Sequence, residues 1–218
     1  MLSRKGQQDV LSAVMLTGIM VVIVGSVYFW GIPLVQKNRD VNALQNSEDF
    51  MRTLSDKIKF VANNAGRDQI SVNVPVVISF DHDVDIIRLA IETEGSIYAT
   101  GANIPLSRTG KETCGFKTDI IGIWGMDQPE VLCVETTKLA ENAYKSIYTL
   151  KYIKLERKIT EATSKIHKID LTGTDGSIGQ DHSIVMEYVG SSTGVDGVLN
   201  TEVKITLLWL TKRDKLEL

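Results

Sequence analysis

Residues 10–36 decide the fold: they read VLSAVMLTGIMVVIVGSVYFWGIPLVQ and contain no charged residue. A helix of this length extends about 40 Å, and about 20 residues suffice to cross the hydrocarbon core of a bilayer. A helix in a soluble core would normally carry a polar stripe, and this stretch has none. The sequence therefore predicts a helix that is covered on all sides by lipid or by other helices.

The flanking residues bear on the orientation and processing of this stretch. Arg4 and Lys5 precede it, which favours a cytoplasmic N-terminus, whereas Lys37 and Arg39 follow it and weaken the asymmetry. A secretory signal peptide would have a shorter apolar region that ends in small residues. Because this stretch is long and has Trp30 near its end, we do not expect cleavage after it.

A different processing site lies before the stretch. Arg4 and Lys5 directly precede Gly6, and Asp9 follows at the N-terminal end of the apolar stretch. This pattern resembles the class III signal peptide of archaeal type IV pilin-like proteins, in which a prepilin peptidase cuts after the glycine. The resemblance implies cleavage between Gly6 and Gln7, with Asp9 as the acidic residue of the motif. The alternative is an uncleaved membrane anchor with an ordinary basic flank.

Asp9 lies at the edge of an apolar helix, where an unpaired charge is costly. Cleavage would create an α-amino group at Gln7, and in a filament this group could pair with Asp9 of a neighbouring subunit. The alternative is an Asp9 that lies at the membrane interface or caps the helix N-terminus, where a carboxylate is favourable.

The helix is predicted to continue beyond Pro33. This proline lacks a backbone donor and clashes with the preceding turn, so a kink is expected there. Apolar residues between 41 and 61 recur at a period near 3.5, so this part is amphipathic and can pack on a globular domain. In the apolar part, Gly18 and Gly25 allow close contact between helices. Ordinary glycine usage in a membrane span is the alternative for these two residues.

From residue 69 onward the hydrophobic period changes to two, which predicts strands. The predicted runs are 70–78, 85–92, 96–100, 119–124, 131–135, 146–158, 165–171, 182–189 and 202–210, and a short helix is expected around 137–145. No crossover helices alternate with the strands, so we expect an antiparallel β-sandwich or a barrel-like head. The predicted fold class is α+β, with a long hydrophobic N-terminal helix.

These patterns divide the chain into four segments: a leader (1–6), a hydrophobic transmembrane or filament-core helix (7–36), its amphipathic continuation (37–66) and a β-rich exterior head domain (67–218). Cys114 and Cys133 both fall in the head. An exterior location is oxidising, which favours a disulfide between them over two free thiols.

Composition and motifs give no sign of catalysis or of nucleic-acid binding. The 218 residues carry a net charge of −3 and only 6% aromatic residues, so neither a basic nor a base-stacking surface is expected. Residues 190–194 match G-x-S-x-G, but His182 is the last histidine and precedes them, so we expect a turn and not a nucleophile elbow. Asp81, Asp83 and Asp85 could bind Ca²⁺ from one face, although a solvated acidic turn is favoured. No cofactor and no metal are predicted.

The order of leader, apolar helix, amphipathic continuation and β head resembles that of archaeal pilin-like proteins. The resemblance implies a structural subunit of an extracellular filament, held in the membrane as a precursor and packed against identical subunits when mature. A prepilin peptidase, an assembly ATPase and a membrane platform would be its partners, and the head would make adhesion contacts. The main alternative is a membrane-anchored minor pilin, pseudopilin or accessory component of a related surface machine. A tethered ligand-binding or enzymatic domain is a third possibility.

Overall fold

The computed structural model describes residues 4–106, 114, 121–160, 163–194 and 197–209. One helix, α1, runs from Arg4 to Asn64. The strands that follow in the described residues are β1 Arg67–Val72, β2 Val77–Asp81, β3 Ile86–Thr93, β4 Asn103–Pro105, β5 Ile121–Ile123, β6 Glu130–Ala140, β7 Ala143–Tyr152, β8 Lys154–Lys158, β9 Ser164–Gly173, β10 Gly176–Ile178, β11 His182–Thr193 and β12 Val198–Trp209. The chain is therefore α+β, as the sequence predicts.

The strands of the described residues form two six-stranded sheets. The first sheet has the order β1-β11-β12-β9-β8-β5, and the second has the order β10-β2-β3-β7-β6-β4. Most neighbouring strands are antiparallel, whereas the pairs β9–β12 and β5–β8 are parallel. The parallel β9–β12 pair arises because the chain leaves the first sheet through β10, which belongs to the second sheet, and returns through β11.

The C-terminal half of α1 packs into the core between the two sheets. Its apolar stripe is fully buried at Leu44, Met51, Leu54, Ile58 and Val61. These side chains belong to one hydrophobic cluster with residues of both sheets. The period of 3.5 in the sequence therefore marks the face of the helix that the head covers.

Polar contacts fasten the same half of α1 to the head. The buried hydroxyl of Tyr148 donates to the carbonyl of Leu44 at 2.9 Å, and the hydroxyl of Tyr152 lies 3.2 Å from Ser55 Oγ. Burial raises the pKa of both phenols, so they stay neutral donors at physiological pH. Nearer the apolar part, the Gly95 N–H donates to Asp40 Oδ2 at 2.8 Å.

The short helix expected around 137–145 is wrong. These residues form the tip of the β6–β7 hairpin, in which Ala140 faces Ala143. Below the tip, the buried hydroxyls of Thr136 and Ser146 lie 2.8 Å apart across the two strands. The tip is exposed, and its apolar residues Leu139, Ala140, Ala143 and Tyr144 do not alternate with polar ones, so the sequence shows no period of two there.

Three predicted strands also differ from the structure. The run 70–78 is divided between β1 in the first sheet and β2 in the second sheet, with a break at residues 73–76 that contains Pro75. The run 146–158 is two strands, because the chain passes from β7 in the second sheet to β8 in the first sheet at Ile153. The backbone N–H of Ile153 donates to the carbonyl of Pro129 at 2.8 Å. The run 96–100 forms no strand beyond one bridge at Thr100, because Ser96 Oγ accepts the N–H of Tyr98 and turns the chain.

Candidate functional site: an exposed apolar helix

The N-terminal half of α1 is an apolar cylinder that the rest of the chain does not cover. Every residue from 11 to 36 is exposed except the half-buried Gly25 and Gly31. Seventeen large apolar side chains of this segment are 40% to 84% exposed, and Trp30 is the most exposed of them. This segment, residues 11–36, is called the apolar cylinder below.

The apolar cylinder can cross a membrane by its length and composition. Its most apolar 18-residue window has a mean hydropathy of 2.2, and none of that window is buried against the protein. A core helix of a soluble protein can be equally apolar, but it is covered by its own chain. The cylinder is not, so its surface is open to lipid or to another protein.

Two hydroxyls of the cylinder, those of Thr17 and Ser26, form hydrogen bonds inside the helix. Thr17 Oγ1 donates to the carbonyl of Ala13 at 2.9 Å, and Ser26 Oγ donates to the carbonyl of Val22 at 2.8 Å. Hydroxyls that bond back to their own helix need no water. The cylinder therefore needs no outside hydrogen-bond partner at Thr17 and Ser26.

The two glycines singled out in the sequence are not required by packing within the chain. A Cβ atom added at Gly18 or at Gly25 would meet no atom of the described chain within 4 Å. The two positions are seven residues apart and lie on nearly the same face of the helix. Any need for a small residue at these positions would come from a partner outside this chain.

The residues of the proposed leader and processing site lie at the N-terminal end of α1. The helix begins at Arg4 and includes Lys5, Gly6, Gln7 and Asp9 in its backbone. Their side chains lie outside the described part of the structure, so the pairing of Asp9 is a prediction. Cleavage after Gly6 would remove three residues, Arg4 to Gly6, from α1.

Pro33 lies inside α1, and the helix continues through it. Because proline has no backbone N–H, the carbonyl of Phe29 lacks its usual donor four residues on. This position is close to the end of the cylinder and seven residues before Asp40, which accepts a hydrogen bond from the head.

Cys114 and Cys133 form a disulfide with a Cα–Cα distance of 5.9 Å, which is the pairing that the sequence favours. Cys133 is buried in β6 and packs with Val131, Ile153 and Leu155. The bond therefore ties the chain before β5 to the second sheet.

The three alternating aspartates do not form one group. Asp81 lies 3.3 Å from Arg88, Asp83 lies 3.3 Å from His82, and Asp85 contacts Lys168. The group of possible ligands that the described residues do form consists of the exposed His82, Asp83 and Asp175. The pKa of the His82 imidazole is raised, mainly because of its hydrogen bond with Asp175. The three aspartates that the sequence analysis considered for Ca²⁺ binding are thus engaged in three separate ion pairs.

The G-x-S-x-G match lies at the end of β11, which pairs with β12. Ser192 Oγ donates to Glu202 Oε1 of that neighbouring strand at 3.0 Å. A nucleophile elbow needs a strand followed by a helix, and here one strand follows another.

Sequence reasoning missed the residues that join α1 to the head. Asp40–Gly95, Tyr148–Leu44 and Lys59–Glu130 pair residues that are 55, 104 and 71 positions apart. No local pattern marks such pairs, since each depends on how the sheets meet the helix.

Comparison of the chain with protein-family models, curated proteins and solved structures finds no match.

Proposed function

We propose that the protein is a structural subunit of an archaeal type IV pilus-like surface filament. The observation that supports this proposal is the apolar cylinder, which is exposed around its circumference and continuous with a helical half packed into the head. The proposal also rests on the sequence pattern around Gly6. The membrane would hold the precursor, and the mature chain would lie outside the cell.

The free energy of covering the cylinder is large. Full burial of one large apolar side chain contributes about 1.5–3 kcal/mol, and the seventeen side chains are 40% to 84% exposed, so covering them contributes on the order of 15–30 kcal/mol. This exceeds the whole stability of a typical domain, about 5–15 kcal/mol. The cylinder must therefore be sequestered from water at every stage in the life of the protein.

Lipid and sister helices can cover the same surface. In the precursor the bilayer would surround the cylinder, and in the filament the cylinders of identical subunits would replace the lipid. Gly18 and Gly25 would allow these helices to approach closely, and Thr17 and Ser26 need no outside partner. Burial is then retained through assembly, and the driving force comes from packing between helices.

The position of the head sets the geometry of such an assembly. The head is attached at one end of the cylinder, so packing of cylinders side by side with an axial offset leaves the heads on the outside. A repeated contact that does not close on itself produces a helical filament.

The test combines mass spectrometry of the mature N-terminus with electron microscopy of surface material. We expect a mature chain that begins at Gln7, and filaments built mostly of this chain. A Gly6→Leu variant should retain its leader and form no filaments. The matched control is Gly66→Ala, because a Cβ at Gly66 meets no atom within 4 Å.

Each other combination of leader processing and filament formation supports a different conclusion. Filaments formed by the Gly6→Leu variant with its leader intact would contradict the proposed processing step. Cleavage at Gly6 without homopolymers would assign the chain to an accessory role, such as a minor pilin or a pseudopilin. An intact N-terminus without filaments would leave a plain membrane anchor.

A further inference from the structure

Lys168 joins the two sheets through a cluster of three charged side chains. It lies in β9 of the first sheet, and its Nζ atom donates to Asp85 Oδ2 and, at 2.9 Å, to Asp170 Oδ1. Asp85 ends the turn between β2 and β3 of the second sheet, 83 positions before Lys168. The cluster therefore holds an amine against a carboxyl group of the other sheet, with a second carboxylate on the same amine.

The cluster is shielded from water. The side chains of Lys168, Asp85 and Asp170 are 19%, 16% and 30% exposed. Burial raises the pKa of Asp85. Burial also acts to lower the pKa of Lys168, but the hydrogen bonds with the two carboxylates outweigh it, so this pKa is raised. The resting cluster is thus an ion pair, and burial brings the neutral pair of amine and carboxylic acid closer to it in free energy.

The β2–β3 turn fixes Asp85 at this place. Its φ of 54° lies in the left-handed region, which few non-glycine residues adopt. In the same turn, the backbone N–H of His82 donates to Asp175 Oδ1 at 2.7 Å, so the turn has a second contact with the segment that follows β9. Well-oriented groups within one molecule reach effective molarities of about 10⁵–10⁸ M. Such values offset the unfavourable condensation of an amine with a carboxylic acid in water.

We propose that Lys168 and Asp85 condense to an intramolecular isopeptide bond, with Asp170 as the proton carrier. One proton of the ammonium group passes to the Asp85 carboxylate, which leaves a neutral amine beside a carboxylic acid. The Nζ atom then adds to Cγ, and a C–N bond forms. A second proton of the nitrogen reaches the departing hydroxyl through Asp170, the C–O bond breaks, and water leaves. The third proton stays on the amide nitrogen, and Asp170 ends as the carboxylate that it was before.

The reaction needs to occur only once in each chain. The ion pair in the structure is its reactant, and an amide and one water molecule are its products, so it requires no oxidant and no partner protein. The bond ties β9 of the first sheet to the β2–β3 turn of the second sheet, in addition to the disulfide of Cys114 and Cys133. This inference goes beyond the proposed filament role and does not depend on it.

Lys59 shows which property distinguishes the Lys168 cluster. The Lys59 Nζ atom contacts Glu130 at 2.6 Å and Asp56 at 2.9 Å, so the same charges meet there. The Asp56 side chain, however, is 71% exposed. Water solvates this carboxylate and competes for the proton that it would have to carry, so we expect no amide at Lys59.

Mass spectrometry of the full chain tests the proposal. The chain is purified in detergent, its disulfide is reduced, and its intact mass is compared with that of the processed sequence. We expect a deficit of one water molecule. Digestion with trypsin should release residues 68–88 and 166–204 as one branched peptide, because trypsin does not cleave after an acylated Lys168.

Three variants separate the roles of the residues. Lys168→Arg keeps a cation between the two carboxylates but removes the amine, so the mass deficit and the branched peptide should both disappear. Asp170→Asn keeps the shape of the side chain but removes the proton carrier, so linkage should slow by about 10²–10⁴-fold. This rate is followed as the branched fraction of freshly purified chain over several days. Lys59→Arg is the matched control and should be linked as fully as the unaltered chain. Near-ultraviolet circular dichroism checks that each variant is folded.

Four results would overturn the proposal. The first is the recovery of residues 68–88 as a separate linear peptide from the unaltered chain. The second is equally fast linkage in Asp170→Asn, and the third is loss of linkage in a folded Lys59→Arg chain. The fourth is a water deficit confined to a linear peptide, which would identify a succinimide at Asp175 and Gly176. Filament formation enters none of these readouts, so the proposed function stands or falls separately.

Discussion

Leu16 and Leu54 belong to the same helix and have opposite surroundings. Leu54 is fully buried between α1 and the two sheets, whereas Leu16 is 64% exposed on the apolar cylinder. Replacement of a buried leucine by alanine removes apolar contacts and leaves a cavity, which destabilises a protein by about 2–5 kcal/mol. We therefore expect Leu54→Ala to lower the free energy of unfolding of the head by about 3 kcal/mol. Leu16→Ala should change it by less than about 0.5 kcal/mol.

The assay is urea unfolding of the full chain in detergent, followed by near-ultraviolet circular dichroism. This signal reports the packing of the buried Tyr148 and Tyr152, and it is insensitive to a cylinder that stays helical in the micelle. With an m-value of about 2 kcal/mol/M, the expected loss lowers the midpoint by about 1.5 M for Leu54→Ala. The m-value should be the same in both variants.

Equal losses of stability in the two variants would refute the reasoning, because the cylinder and the head would then unfold as one packed unit. A neutral Leu54→Ala variant would show that the amphipathic half of α1 is not part of the core. The proposed function adds a second readout for Leu16→Ala, since filament yield should fall while the midpoint of the head stays unchanged.

The polar contacts and the disulfide of the head give three further tests. Lys59→Met leaves the buried Glu130 without its cation and should cost about 3 kcal/mol in urea unfolding, whereas Lys57→Met, whose partner Asp68 is more exposed, should cost under about 1 kcal/mol. NMR titration should place the pKa of His82 above 6.5, because of Asp175, and that of His167 below it, because of burial; Asp175→Asn should lower only the former. The stabilising effect of the His82–Asp175 pair is full between pH 3.8 and pH 6.5. It is lost as the pH rises through the raised pKa of His82, and also as the pH falls through the lowered pKa of Asp175. The double variant Cys114→Ser, Cys133→Ser should lose about 3 kcal/mol of stability, measured by the same urea assay.

The helix could be predicted from the sequence because its signals are local. The uncharged run of residues 10–36 and the period of 3.5 that follows depend on neighbours within a few turns. The same patterns distinguish the exposed half from the packed half, and the burial of Leu44 and Leu54 agrees with that division. The α+β class followed because a change of period from 3.5 to 2 is visible along a single chain.

The arrangement of the sheets could not be predicted, because it depends on contacts between distant segments. The run 146–158 reads as one apolar-rich strand, and nothing local shows that the chain changes sheets at Ile153. The parallel pairing of β9 with β12 is set by the detour through β10, which is only three residues long. Likewise, Trp124 and His167 have no sequence pattern in common, although their rings are in contact.

The junction of cylinder and head bears on how a filament could be built. Asp40 accepts the Gly95 N–H only about 6 Å beyond Gln36, the last residue of the cylinder. Arg52, which is paired with Glu48 one turn earlier on α1, continues the attachment by donating to the carbonyl of Leu106 in the head. The head therefore begins where the apolar surface ends, and no flexible linker separates them. In the proposed filament, the packing of the cylinders would then fix the position of every head, and a change at the junction would alter the outer surface as well as the core.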